Sequence, residues 1–320
     1  MANIKDIAKM AGVSVTTVSR VLNNHPYVSE EKREAVRSAM VECNYQPNLN
    51  AVHLSKGETL LIGVVTPFIN HPYFGQLLEG IANEAVKNNY KLVLFQTNYE
   101  EEREVEALQM LQFKQIDALI ICSRICGMDI IEEFVAYGPI VLCEDARGKN
   151  VSSIFIDQYQ TFSKALMYLH NKGHQRIGYS IFRKSGTNSK LREKAYKEFL
   201  REMNEPFNPE YIFYDCLKFE DGVHVVERLL KMSSPPTALV VTSDIVAAGI
   251  LTFCKEKEIQ IPEDLAIMGF DNQPIAKIMH ITTLEIPLVE IGRKLFLQAI
   301  DNSEPSHEEV FVKLIERETV

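Results

Sequence analysis

No apolar run in this chain approaches the ~20 residues needed to span a bilayer. Its opening residues, MANIKDIAKM, are too polar to supply the apolar core of a secretory leader. The expected location is therefore the cytoplasm, with no membrane partner. The six cysteines (Cys43, Cys122, Cys126, Cys143, Cys216 and Cys254) include no CxxC pair and sit mostly in apolar, strand-like runs. That pattern argues against a zinc site or a disulfide framework and for small buried thiols. The sequence also lacks GxGxxG, the GxxxxGK-Ser/Thr loop, GxSxG and HExxH. His170 and His174 have metal-pair spacing, but Asn171-Lys172-Gly173 ends the helix between them. No catalysis, metal or cofactor is expected.

Positive charge is scarce overall, with a net of −9, but it is unevenly placed. Residues 1–57 hold seven Lys/Arg against five Asp/Glu, while the remainder holds 27 against 38. A mildly basic head on an acidic body is the asymmetry expected when only the head meets phosphate. The head opens with IKDIAKMAGVSVTTVSRVL, residues 4–22. Asn3 can cap a short helix that carries Ile4, Ile7, Ala8 and Ala11 on one face. Gly12-Val13-Ser14 breaks it, and Ser14 can cap a second helix from Val15. Val18, Val21 and Leu22 would pack inward, leaving Val15, Thr16, Ser19 and Arg20 outward with Thr17 at the margin. Two short helices around a tight turn describe a helix-turn-helix, although the pattern alone also fits a small helical hairpin. A third helix is predicted at 29–44, capped by Ser29 and turning Val36, Ala39, Met40 and Cys43 inward. The segment LNAVHLSKGETL then reads as a linker able to form one or two helical turns.

From Leu60 the runs LIGVV, KLVLFQT, ALIIC, PIVLC, SIFID, RIGYSIF, YIFYD, ALVVT and LAIMGF are short, apolar and rich in β-branched or aromatic residues. Helical stretches separate most of them: Gly75–Asn89, Glu101–Lys114, Tyr159–Lys172, Leu191–Asn204, Asp221–Lys231 and Asp244–Lys257. Strands alternating with helices imply parallel sheets of right-handed βαβ units. Nine strands favour two doubly wound α/β lobes over one sheet. Ligands bind such sheets beyond the carboxyl ends of their strands, so two lobes can enclose a cleft.

The motifs IKDIAKMAGVSVTTVSRVLN, YQPN, HPYF, GHQRIGY, PEDLAIMGFDN and TTLEIP recur in this order and spacing. On them the whole chain resembles the LacI/GalR family of bacterial transcription regulators. The resemblance implies a nucleoid-associated homodimer with a helix-turn-helix headpiece at 1–46, a hinge helix at 47–58 and a periplasmic-binding-protein-like core at 59–320. Lobe 1 of that core would hold about 59–157 and 286–301; lobe 2 would hold about 158–285 and 302–320. The implied function is a repressor of carbohydrate-utilisation genes, bound to a pseudo-palindromic operator in double-stranded DNA and released by a small effector. A regulator driven by a corepressor or a phosphoprotein partner is the alternative within the class. A periplasmic sugar-binding protein would share the lobes but not the headpiece.

Carried over by position, Val15, Thr16 and Arg20 face base edges, where an arginine can take both guanine acceptors. Thr17, Ser19 and Asn23 would touch phosphate, Ser19 being otherwise a surface serine. Ala51 and Leu54 match the small-residue and leucine positions of a hinge that wedges the minor groove. Val52-His53 replaces the family's usual basic residue there, with Lys56 able to compensate. For the effector, Asn70, Tyr73 and Phe74 follow the first strand, Phe74 fitting a core position equally well. Arg192 matches a family arginine, Phe219 an aromatic position that stacks on ligand, and Asp145 lies near an Asp-Arg pair after the fourth strand. Asp244 and Asp271 follow strands, where they would bind ligand or cap helices. With carboxylates outnumbering the single cation Arg192, a neutral sugar is expected rather than a phosphate. The HPYF, YGPIVLCED and TNY stretches look most like regulators of maltose or maltodextrin genes, which makes that sugar of the maltose type.

Overall fold

Local caps set the first helices. In a computed structural model, which describes residues 3–23, 25–45, 57–301 and 303–320, the chain divides into two compact units, Met1–Thr59 and Leu60–Val320. Helix α1 (Ile4–Met10) opens with a capping box. The Asn3 side chain accepts from the Lys5 and Asp6 amides (2.9 and 3.3 Å), and Asp6 accepts from the Asn3 amide (2.9 Å). After Gly12, at φ +63°, Ser14 caps α2 (Val15–Leu22) through the Thr17 amide at 3.1 Å. Helix α3 (Glu30–Glu42) starts after Ser29, whose side chain makes no capping bond; Glu30 and Glu31 favour its amino end electrostatically instead. Ile7, Ala8, Val18, Val21, Val36 and Ala39 form the buried core of this unit, with Ile4, Ala11, Leu22, Met40 and Cys43 packed around it.

A cap exchanged for alanine typically costs about 1 kcal/mol. Ser14→Ala is therefore expected to speed amide exchange at Thr17 and Val18 about fivefold in the full-length chain. Unchanged protection there would show that tertiary packing alone fixes the turn.

The second unit holds two six-stranded sheets. The first contains β1 (Leu61–Thr66), β2 (Lys91–Gln96), β3 (Ala118–Ile121), β4 (Ile140–Leu142), β5 (Ser152–Phe155) and β11 (His307–Glu309), ordered β11-β5-β4-β3-β1-β2. The second contains β6 (Ile177–Ser180), β7 (Ile212–Phe213), β8 (Ala238–Val241), β9 (Ala266–Asp271), β10 (Thr282–Glu285) and β12 (Lys313–Ile315), ordered β12-β10-β9-β8-β6-β7. All neighbours are parallel except β10 and β12. Helices α4 (Pro72–Lys87), α5 (Glu101–Gln112), α6 (Met128–Phe134) and α12 (Leu288–Ile300) serve the first lobe. Helices α7 (Gln158–Asn171), α8 (Thr187–Met203), α9 (Gly222–Lys231), α10 (Asp244–Glu256) and α11 (Pro274–Ile278) serve the second. β1, β3, β4, β6 and β8 are almost wholly buried, as parallel strands covered on both faces must be.

The tail departs from the expected division. Residues 302–320 do not belong to lobe 2 as a block: His307–Glu309 pairs with Ser153–Phe155 in the first sheet, and only Lys313–Ile315 joins the second. Three further strands, β10, β11 and β12, have no apolar run to announce them. In β10, Thr282 and Thr283 are fully buried, so β-branching rather than hydrophobicity suits them to the sheet. Helix α8 begins four residues before its apolar periodicity, and α4 begins at Pro72, where a proline costs no amide bond.

Candidate functional site

In the first unit, α2 presents Val15 (41% exposed), Thr16 and Arg20 to solvent, with Thr17 and Ser19 partly exposed. The Thr17 hydroxyl lies 2.9 Å from that of Ser14, and the Asn23 side-chain amide donates to the Ser19 carbonyl at 3.0 Å. Asn23 thus closes the carboxyl end of α2, and Thr17 belongs to its cap. Ala51, Leu54, Val52, His53 and Lys56 lie outside the described residues.

In the second unit, a cavity of about 140 Å³ lies beyond the carboxyl ends of both sheets. Lobe 1 contributes His71, Tyr73 and Phe74 from the start of α4, Tyr99 after β2, Cys122 and Ser123 after β3, and Glu144 after β4. His71 caps α4 by accepting from the Tyr73 amide (3.3 Å), and burial pushes its imidazole down, toward the neutral form. The Tyr73 phenol is pushed well up by burial. Tyr73 and Phe74 meet edge to face at 5.0 Å, and Phe74, only 6% exposed, is both core and lining.

Lobe 2 contributes Phe182 and Arg183 after β6, the amino end of α8, Arg192 one turn further on, Ser243 after β8 and Asp271 at the end of β9. Arg192 donates from Nε to the Gln158 side-chain oxygen (2.9 Å) and lies over the Phe270 ring at 5.0 Å. Asp271 holds φ +98°, a left-handed conformation that costs a non-glycine residue strain and often marks a functional site. Burial pushes its carboxyl well above the usual range; the nearby Asp244 adds to this and Arg192 opposes it.

Four expected ligand contacts are not in the lining. Asn70 is exposed on the loop before α4. Asp145 turns away to a bidentate pair with Arg147 (2.6 and 2.9 Å), while its neighbour Glu144 enters the cleft and pairs with Arg124. Phe219 packs in the second lobe against Phe253, ring centroids 6.0 Å apart. Asp244 is fully buried, accepting from the Gln273 amide and the Thr283 hydroxyl, each at 2.7 Å. It is the first helical residue of α10 rather than its cap, and it anchors the 271–273 turn from behind. Conversely, Glu144, Gln158, Arg183 and Ser243 escaped the sequence reading. Glu144, Arg183 and Ser243 each follow a strand, the one signal that could have found them.

Among the described residues no group of three His, Cys, Asp or Glu side chains is placed to hold a metal ion. None of the described helices is long and apolar enough to cross a membrane.

A helix-turn-helix unit in one chain with a two-lobed, cleft-bearing α/β unit is the architecture of a DNA-binding protein with a separate ligand cleft. A family model described as bacterial regulatory proteins, lacI family, matches residues 3–48, and one described as a periplasmic binding protein-like domain matches 166–320. The uncharacterized HTH-type transcriptional regulator YkvZ of Bacillus subtilis (strain 168) is 43% identical over 323 residues, covering 100% of each chain. The NTD biosynthesis operon regulator NtdR of the same organism is 36% identical, covering 94% of this chain and 93% of its own. A solved structure of a LacI family regulator from Lactobacillus casei with bound sucrose shares the fold at TM-score 0.74 and 24% identity, covering 81% of this chain and 99% of that one. The chain belongs to the LacI family of bacterial regulatory proteins. It is a DNA-binding transcriptional regulator and not an enzyme.

Proposed function

We propose that this regulator is a homodimeric repressor of carbohydrate-utilisation genes. Two copies of α2 read a pseudo-palindromic operator, and a sugar-like effector in the interlobe cleft releases it. The observation that carries the effector half is the cleft itself: aromatic rings, a fork-shaped Arg192 and hydroxyl or amide groups converge at the carboxyl ends of both sheets. Tyr73, Phe74, Arg192 and Asp271 are the effector-binding residues in this reading, and Asp244 holds Asp271 in place. A cavity of about 140 Å³ is small beside the ~300–1,000 Å³ of drug-sized sites. It suits one sugar ring better than a maltose-type disaccharide.

On the DNA side, Val15, Thr16 and Arg20 read base edges, while Thr17, Ser19 and Asn23 set register on phosphates. Ala51 and Leu54 form the minor-groove wedge. The exposure of Arg20 at the solvent face of α2, with no described carboxylate paired to it, supports its role. Arg20→Ala is expected to cost about 1–3 kcal/mol at one base pair and to relax specificity there. Binding-site selection on wild type and variant measures this. Retention of the full base preference at every operator position sinks the assignment.

A further inference from the structure

The geometry points to an anionic effector, a monosaccharide phosphate, whose oxyanion is held in the cleft by Arg183 and the amino end of α8. The inference rests on the cleft being the effector site. It replaces the neutral sugar expected when Arg192 was the only cation placed there.

Two guanidinium groups face the cavity without a carboxylate partner among the described residues. Arg183 donates from one terminal nitrogen to the Arg124 carbonyl (3.1 Å) and lies 3.7 Å over the Tyr99 ring. Arg192 spends only Nε, on the neutral Gln158 side chain. Glu144, whose carboxyl feels the charge of Arg183, is already engaged by Arg124. Burial raises the Asp271 carboxyl well above its usual range, and Arg192 opposes that shift. His71, also facing the cleft, is held toward its neutral form. With Glu144 engaged by Arg124, two guanidinium groups face one remaining carboxyl, Asp271, in a site partly removed from water.

Helix α8, of 17 residues, adds to this field. Its N-cap is Gly186, at φ +120°, and no side chain caps it. Thr187, Asn188 and Ser189 of its first turn line the same cavity, so their amides and the helix dipole favour an anion there. An independent polar group at the same cavity is Ser243. It occupies the N-cap position of α10 yet caps nothing, and its hydroxyl, in a residue only 7% exposed, has no partner while lining the cavity. Buried hydroxyls are rarely left unpaired. Ser243, Gln158 and Asp271 offer the mixed donors and acceptors that sugar hydroxyls need. Two separate forks and a row of amides suit the three-sided oxyanion of a phosphate.

The test is calorimetric titration of the full-length protein at fixed ionic strength. The ligands are glucose, fructose and ribose, each beside its terminal monophosphate, then glucuronate and inorganic phosphate. At least one phosphorylated sugar is expected to bind ten times more tightly than its neutral partner, with inorganic phosphate competing. Its affinity should rise from pH 5 to 7 as the second phosphate proton leaves near ~6. Arg183→Gln should erase the tenfold preference without lowering the unfolding midpoint, and Arg147→Gln, on the surface, should not. Preference for glucuronate over every phosphate moves the ligand to the sugar acids and overturns the phosphate assignment. Four other results overturn the inference: no binding of any phosphate, a tighter neutral partner, a preference that survives Arg183→Gln, or an Arg183→Gln effect confined to ligand-free operator affinity. Failure of the cleft reading itself looks different, as ligands that bind yet leave operator affinity unchanged.

Discussion

Gly292→Val is expected to destabilise the two-lobed unit by about 3 kcal/mol or more, the upper end of what overpacking costs. Helices α4 and α12 cross with glycines at the contact, Gly80 on one and Gly292 on the other. A Cβ at 292 would fall on the Leu77 carbonyl oxygen, with the Leu77 carbonyl carbon at 3.0 Å and the Ile81 amide nitrogen at 3.1 Å. These obstacles are backbone, so no rotamer change relieves them and the helices must part. Separation would loosen Leu77, Ile81, Leu295 and Phe296, all completely buried. The control is Gly75→Ala on the exposed side of α4, where an added Cβ meets nothing within 4 Å. Alanine's higher helix propensity makes that change neutral or stabilising by up to about 1 kcal/mol. Denaturant unfolding followed by circular dichroism measures both. Equal midpoints for Gly292→Val and wild type would show that the crossing tolerates a wider spacing.

Asp244→Asn is expected to flatten the dependence of stability on pH between about 4 and 7. Burial pushes the Asp244 carboxyl up to about 7, against about 3.9 in an unfolded chain. The folded protein therefore binds this proton more tightly than the unfolded one. Its contribution is fully present below pH ~4 and is lost as pH rises through about 7, an amount approaching about 4 kcal/mol at ~1.4 kcal/mol per pH unit. Asp271, raised by the same burial, pushes in the same direction. The carboxyl also takes a bond from the Phe270 backbone; an asparagine keeps the Gln273 and Thr283 bonds when its oxygen accepts from the Gln273 amide and its nitrogen donates to Thr283 with that hydroxyl turned round. The decisive comparison is the unfolding midpoint at pH 4.5 and 7.5. A variant whose midpoint falls as steeply as the wild type's clears Asp244 of responsibility, leaving Asp271 or another group as the source.

The residues divide by how far their determinants reach along the chain. Asn3 and Ser14 cap their helices through bonds to amides two or three residues away, so the helix-turn-helix is written in contiguous sequence. The alternation of apolar strands with amphipathic helices is local in the same sense, and it carried the two-lobed α/β class before any contact was known. Side-chain direction beyond a strand end is different. Glu144 and Asp145 are adjacent in the bend after β4, yet one enters the cleft and the other pairs with Arg147, a choice made by the partners that the fold brings to each and not by their neighbours in sequence. The tail behaves likewise: His307–Glu309 reads as an ordinary polar segment, and its place in the first sheet depends on Ser153–Phe155, some 154 residues earlier. Charge in the cleft was the last thing settled by tertiary structure. Composition shows an acidic body, but the charge of the lining follows from Arg124 engaging Glu144 and from Arg183 and Arg192 being left with open donors around the one remaining carboxyl, Asp271. Sequence determined which elements form, since their signals are short-range. The fold decided which side chains meet, since desolvation and pairing are set by neighbours that the linear order does not name.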